Sequence, residues 1–218
     1  MNHEVLLADD HAIIRDGLKK LLADVEGLEV AGEAADGQRL LELVRARPWD
    51  VLVLDISMPG RSGIELIKMI KSERPGLPIL VFSMHLEEQY ALRAIRAGAS
   101  GYLSKGGNSE DIVPAIRKVA GGGLFISPKV AELLAADLSS VAEQVPHKRL
   151  SDREFEVFRA LVQGVAVSQI ARQMNLSIKT VSTHKSRIMD KMEMQTSTEL
   201  IRYAMAHHLL DDAEGPPA

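Results

Sequence analysis

Two hydrophobic periods alternate along the first half of the chain. Apolar runs at residues 4–8 (EVLLA), 28–31 (LEVA), 51–54 (VLVL), 79–82 (ILVF) and 101–103 (GYL) have strand length. Between them apolar residues recur at helical spacing: Leu18, Leu21, Leu22 and Val25; Leu40, Leu41 and Val44; Ile64, Ile67 and Ile70; Leu92 and Ile95 with Arg96; Ile112, Ile116 and Val119. Five strands alternating with five helices predict right-handed crossovers and an α/β fold, a doubly wound parallel sheet in (βα)5 order with helices on both faces.

The pattern changes after Gly121, Gly122 and Gly123. Residues 127–136 (SPKVAELLAA) predict a further short helix with Pro128 at its first position. Residues 138–149 have paired serines, Pro146 and no period, as expected of an interdomain linker. A new helix is then announced by Ser151 with Glu154 three residues on, the spacing of a capping box, and by Leu150 and Phe155 at the positions of a hydrophobic staple. Three more helical stretches follow, at residues 167–174, 178–192 and 197–208, with Gly164 separating the helix that starts at Ser151 from the first of them and a tight turn at 175–177 in which Ser177 can cap the next helix. Two short helices joined by such a turn have the helix-turn-helix layout, whose second member enters the DNA major groove. The organisation predicted is a domain at 1–124, a linker with a short helix at 125–149, an all-α four-helix domain at 150–210 and a disordered tail at 211–218.

Candidate chemistry sits at the strand ends. Asp9, Asp10, Asp55, Ser83 and Lys105 each lie at or just past the C-terminal end of an apolar run, and in doubly wound sheets ligands bind at those ends. Three crowded carboxylates call for a hard divalent cation, and Mg2+ prefers carboxylate, carbonyl and water oxygens. Asp9 and Asp10 would hold the metal, Asp55 would be both ligand and nucleophile, and the backbone carbonyl of Ser57 would be a further ligand. A carboxylate oxygen can attack phosphorus to give an acyl phosphate. Lys105 and the metal would neutralise charge on the transferring group, and Ser83 would donate a hydrogen bond to it. His11 is expected to be a helix cap or a surface residue and is given no chemical role.

In order along the first 120 or so residues, LLADDH with Asp9 and Asp10, VLVLDISMPGRSG with Asp55, Met58, Pro59 and Gly63, VFSMH with Ser83, and AGASGYLSKG with Tyr102 and Lys105 resemble the receiver domain of two-component response regulators. The resemblance implies a flavodoxin-like receiver, a rotamer switch at Tyr102 coupled to Ser83, and a sensor histidine kinase as phosphoryl donor.

Composition narrows the classes. The 218 residues suffice for two domains, and with no cysteine there is neither a disulfide framework nor a thiolate site. No apolar stretch approaches the roughly 18 residues of a membrane span, so no membrane role is expected and a cytoplasmic location is. The formal net charge of −4 hides an asymmetry: residues 147–210 carry ten Lys or Arg against six Asp or Glu, whereas residues 1–126 carry fifteen against eighteen. The basic half predicts an anionic partner. In the stretch 178–192, Ile178, Val181, Ile188 and Met192 are expected to pack inward, leaving Lys179, Ser182, Thr183, Lys185, Ser186 and Arg187 to reach double-stranded DNA. Lys179 is expected to contact phosphate and Lys185 to read bases.

Residues 150–210, with LSDREFEVFRALVQG, VSQIARQMNLSIKTVSTHKSRIMDKM and STELIRYAMAHHLL, resemble the LuxR-type output domain of NarL/FixJ response regulators, although Ser182 stands where that family often has Lys. The resemblance implies a bacterial transcriptional regulator and places a dimer contact on residues 197–208. A homodimer on DNA is also expected because one short helix reads few base pairs. No enzymatic activity is expected: an aspartyl phosphatase would want a general acid two residues past its nucleophile, where Ser57 stands. A regulator that works without phosphorylation is the other alternative.

Overall fold

The computed structural model describes residues 2–58, 63–85, 87–139, 145–207 and 209–210, without the side chains of 88 and 136–139. The expected tail at 211–218, the middle of the linker, Pro59 and His208 lie outside the described residues. The chain divides into two compact units, Met1–Leu138 and Ser139–Ala218.

In the first unit β1 (His3–Ala8), β2 (Leu28–Ala34), β3 (Val51–Leu54), β4 (Ile79–Ser83) and β5 (Gly101–Ser104) alternate with α1 (Ala12–Ala23), α2 (Gly37–Ala46), α3 (Gly63–Glu73), α4 (Glu87–Arg96) and α5 (Ile112–Ala120). The strands form one sheet in the order β2-β1-β3-β4-β5, every pair parallel. Odd-numbered residues of β1 and β3, namely Val5, Leu7, Val51 and Val53, pack with Leu18 and Leu22 of α1 and Ile112, Ile116 and Val119 of α5. Leu6, Leu52 and Leu54, pointing the other way, are equally buried, so burial on both faces explains why these strands read as unbroken apolar runs. β2 runs three residues beyond the apolar run expected for it, through Gly32 and Glu33. It is an edge strand with little apolar signal of its own, and Gly32 is required there because a Cβ would lie 2.4 Å from the Trp49 ring.

The order of connection reverses between β1 and β3. One chain leaves β1 toward β2 and the next leaves β3 toward β4, which opens a crevice at their carboxyl ends. Ala8 pairs with Leu54, and the Asp55 amide donates to the Ala8 carbonyl at 2.8 Å. Asp9 and Asp55 are thereby set side by side.

The other edge is covered by the chain itself. Phe125 donates its amide to the Ser100 carbonyl at 2.9 Å and accepts from the Tyr102 amide at 3.0 Å, a one-residue extension of the sheet. α6 (Pro128–Ser139) follows, with Val130 fully buried. The helix expected within the linker is thus mostly part of the first unit, because β5 had an open edge for Phe125 to pair with.

The second unit opens with a 3₁₀ turn at Pro146–Arg149 and continues as α7 (Asp152–Val162), α8 (Val167–Gln173), α9 (Ile178–Met192) and α10 (Ser197–Ala206). The capping box of α7 is formed in both directions, between Ser151 Oγ and the Glu154 amide at 3.3 Å and between the Ser151 amide and Glu154 Oε2 at 2.9 Å. Leu150 and Phe155 are both buried, as a staple requires. Asn175 turns the chain between α8 and α9 with a φ of 53°, and Ser177 caps α9 by accepting from the Thr180 amide at 3.0 Å. A second capping box, Thr196 with Glu199, starts α10, and its T-x-x-E spacing is the local signal of that start.

Glu154 also ties α7 to α9, accepting from Lys191 Nζ at 2.6 Å. Burial pushes its carboxyl up, but the bonds from Lys191 and Ser151 outweigh that and hold it below its ordinary value. A depressed folded-state pKa adds stability above the ordinary carboxylate range, and that stability is lost as pH falls through the folded value. Glu154→Gln is therefore expected to destabilise the second unit at neutral pH by about 1–2 kcal/mol, the lower part of the range for charged hydrogen bonds because Lys191 is half exposed. The deficit should shrink as the solution is acidified below the ordinary carboxylate range. Urea unfolding of the full chain from pH 7 to pH 3, followed by NMR signals of α7, checks this; a pH-independent deficit would contradict it.

Candidate functional site

The four carboxyl ends of β1, β3, β4 and β5 bring all five strand-end residues to one rim. Asp9 and Asp55 are 3% and 2% exposed, and Ser83 is fully buried. Lys105 reaches back from the end of β5, its amide held by the Ser83 carbonyl at 2.8 Å, and its Nζ lies 2.6 Å from Asp9 Oδ2 and 2.5 Å from Asp55 Oδ2. One ammonium thus bridges two buried carboxylates. Asp55 Oδ1 accepts from the Ser57 amide at 2.8 Å.

Asp10 is the exposed acid of the set. Ligand atoms of Asp9, Asp10, His11 and Asp55 all lie within 4.8 Å of one another. Three carboxylates and one ammonium leave an excess of negative oxygen at the rim, so the donor set fits a hard dication. His11 holds the N-cap position of α1 without a side-chain capping bond and is exposed, the surface placement of the two expected for it. Its Nδ1 lies instead 3.2 Å from Asp9 Oδ1 and 3.0 Å from Asp10 Oδ1, and its amide donates to Asp9 Oδ1 at 2.8 Å. Asp9 therefore orders the turn that presents Asp10.

Ser83 lies beside the carboxylates. Its Oγ is 3.3 Å from Ser57 Oγ and accepts from the His85 amide, also at 3.3 Å. Tyr102 is buried with its hydroxyl turned inward, donating to the His85 carbonyl at 2.9 Å. Burial drives the phenol's pKa far above its ordinary value, so it serves as a donor at any physiological pH. Met84, between Ser83 and His85, is 67% exposed. Neither the Ser57 hydroxyl nor the two backbone bonds of His85 was anticipated, since a loop's hydrogen-bond partners leave no period in a sequence.

On α9 the observed faces differ in part from those expected. Lys179, Ser182, Thr183, Ser186 and Arg187 are all exposed and follow the i, i+3, i+4, i+7, i+8 spacing of a single stripe. Val181, Ile188 and Met192 form the buried stripe opposite. Ile178, expected inside, is 58% exposed because it begins the helix before the packing seam. Lys185 falls in phase with Val181 and Ile188 and is only half exposed, which sets it apart from the other five candidates. Thr183 donates to the Lys179 carbonyl at 3.0 Å, tying its hydroxyl back to the helix. Asp190 continues the exposed stripe toward the C-terminus and confines its positive end to the first turns. Burial holds the His184 imidazole below its ordinary pKa, so it adds no charge near neutral pH. On α10, Thr198, Arg202 and Met205 are exposed, with Ile201 half exposed beside them, while Leu200 and Ala204 face inward.

Residues 5–117 match the response regulator receiver domain, and residues 148–204 match the bacterial regulatory proteins of the luxR family. The response regulator GacA of Pseudomonas aeruginosa is 36% identical over 213 residues, covering 96% of this chain and 99% of GacA. RcsB from Salmonella enterica serovar Typhimurium, bound to promoter rprA in the presence of phosphomimetic BeF3-, superposes with a TM-score of 0.68 at 32% identity, covering 93% of this chain and 98% of that one. A structure of two RcsB dimers bound to two parallel DNAs matches with a TM-score of 0.59 at 33% identity, over 94% of this chain and 99% of the other. Among the described residues no helix is long and apolar enough to cross a membrane. With a receiver domain followed by a luxR-type DNA-binding domain, the chain belongs to the NarL/FixJ family of two-component response regulators and is a DNA-binding transcriptional regulator.

Proposed function

We propose that Asp55 accepts a phosphoryl group from the phosphohistidine of a sensor histidine kinase and that this controls the binding of the α9 stripe to double-stranded DNA. The observation that carries the reading is the placement of Asp55, buried at the end of β3, bridged by Lys105 to Asp9 and within ligand distance of Asp10. In the transfer, an oxygen of the Asp55 carboxylate forms a bond to phosphorus as the phosphorus–nitrogen bond to the kinase histidine breaks, and the bonding pair leaves on the imidazole. Asp9, Asp10, Asp55 and the Ser57 carbonyl would hold Mg2+, which supplies charge neutralisation at the phosphoryl oxygens. Lys105 exchanges its carboxylate partner for a phosphoryl oxygen, and Ser83 donates its hydroxyl to another. Tyr102 follows the space that Ser83 vacates.

On DNA, Lys179 sits beside the positive N-terminus of α9 and contacts phosphate, and Ser182, Thr183, Ser186 and Arg187 face the bases and flanking phosphates. Lys185 supports the docking from the side of the stripe. The exposed face of α10, with Thr198, Ile201, Arg202 and Met205, is the contact through which two copies pair, so that two α9 helices read neighbouring half-sites. A regulator of this kind works in the cytoplasm.

The test is operator binding by the full chain at fixed salt, with and without acetyl phosphate and Mg2+. Operator affinity is expected to rise on phosphorylation by about 10-fold, a coupling of roughly 1.4 kcal/mol. Equal affinity in both states would favour a regulator that works without phosphorylation.

A further inference from the structure

His85 links the loop after β4 to α4. Its amide donates to Ser83 Oγ at 3.3 Å, its carbonyl accepts from the Tyr102 hydroxyl at 2.9 Å, and its ring stacks on Tyr90 with centroids 4.4 Å apart and planes 14° from parallel. The first two contacts belong to the loop after β4, beside Asp55. The third belongs to α4, where Tyr90 is 4% exposed. Met84, one residue earlier, stands 67% exposed in solvent.

Ser83 has one hydroxyl proton and little room. Its Oγ lies 3.3 Å from Ser57 Oγ and serves as acceptor for the His85 amide. When the hydroxyl turns to donate to a phosphoryl oxygen on Asp55, the oxygen that receives the His85 amide moves with it. A half-buried peptide N–H left without an acceptor is costly, so the backbone at residue 85 must shift to find another. Its carbonyl is anchored on Tyr102, and its side chain lies flat against a ring that cannot move without the first turns of α4. An aromatic stack with nearly parallel planes resists being slid apart, so displacement of the loop is passed on to the helix.

We propose that His85 is a positioning residue that transmits the state of Ser83 to α4 through its ring stacked on Tyr90. The role asked of the imidazole is steric, with no proton gained or lost. The inference rests on Asp55 being the phosphoacceptor and adds the route by which the change leaves the site on the side of α4.

The experiment is amide hydrogen exchange over Glu87–Arg96 in the full chain, with and without acetyl phosphate and Mg2+, alongside the extent of Asp55 labelling. His85→Ala keeps the amide and carbonyl but removes the ring. It is expected to label as the parent does, while its phosphorylation-dependent change in α4 exchange falls below about half that of the parent. His85→Phe keeps a ring for the stack without the imidazole nitrogens and is expected to restore the change. A full change in His85→Ala would overturn the proposal, as would failure of His85→Phe to restore what His85→Ala loses. Absence of labelling in the parent would overturn the phosphoacceptor reading itself and this inference with it, so the two failures are distinguishable.

Discussion

Asp55→Asn is expected to abolish phosphoryl transfer to the first domain, with labelling from acetyl phosphate and Mg2+ at least about 100-fold below the parent. The amide has nearly the shape of the carboxylate, and its oxygen can still accept from the Ser57 amide, which bonds Asp55 Oδ1 at 2.8 Å in the parent. What is lost is the nucleophilic oxygen and the charge that faces Lys105. The substitution therefore separates chemistry from folding: thermal unfolding of the first unit should change little, or become more favourable to the folded state, because one of the crowded carboxylates is gone. Asp9 and Asp10 remain, so the variant also asks whether either can serve instead. Intact-mass measurement after incubation with acetyl phosphate gives the answer. Labelling at the parent level would move the acceptor away from Asp55.

Ser182→Glu is expected to abolish operator binding, with affinity lowered at least about 100-fold, because a carboxylate would be placed in the middle of the exposed α9 stripe facing an anionic groove. Like charges brought together without water between them cost several kcal/mol, which is more than the loss of any single favourable contact on the stripe. Ser182 is exposed and has no packing role in the second unit, so the fold should persist. Lys185→Ala is the matched control. It lies in phase with buried Val181 and Ile188, so its loss should weaken cognate and random duplex by similar small factors, within about threefold, and lower the salt slope by no more than about one. Titrations on cognate and scrambled duplex at two salt concentrations separate these outcomes. A Ser182→Glu variant that binds operator normally would remove α9 from the interface, and a Lys185→Ala variant that loses only cognate binding would make Lys185 a base reader.

Where the periodic signal was strong, expectation and structure agree closely. The run VLVL occupies all of β3, and the capping box at Ser151 begins α7. Both are local: a buried central strand needs apolar residues on both faces, and a cap needs only residues within one turn. Agreement weakens where a neighbour supplies the reason. β2 extends through Gly32 and Glu33 because β1 offers it a ladder and the Trp49 ring needs the space of a missing Cβ. Phe125 was expected to begin a linker and instead closes the edge of β5, an assignment no property of Leu124–Phe125 could make without knowing that Gly101 lies alongside. On α9 the difference is one of phase. Both Ile178 and Lys185 are separated from Val181 by a helical step, yet the apolar one is exposed and the charged one half covered, because the seam with α7 begins only after the first turn.

The sequence by itself determined the two-domain order, the parallel α/β class, and the identity of the chemical groups, since each depends on residue type, spacing and chain direction alone. Asp9, Asp10, Asp55, Ser83 and Lys105 stand at the ends of apolar runs, and a parallel sheet can only bring such ends to one rim. Tertiary structure decided how those groups meet. That Lys105 bridges Asp9 and Asp55, that Ser83 is engaged by Ser57 and by the amide of His85, and that His85 lies against Tyr90 are facts of distance between residues far apart in the chain. Such contacts arise from the packing of loops whose side chains follow no period, so they become legible only when the elements on either side have been placed.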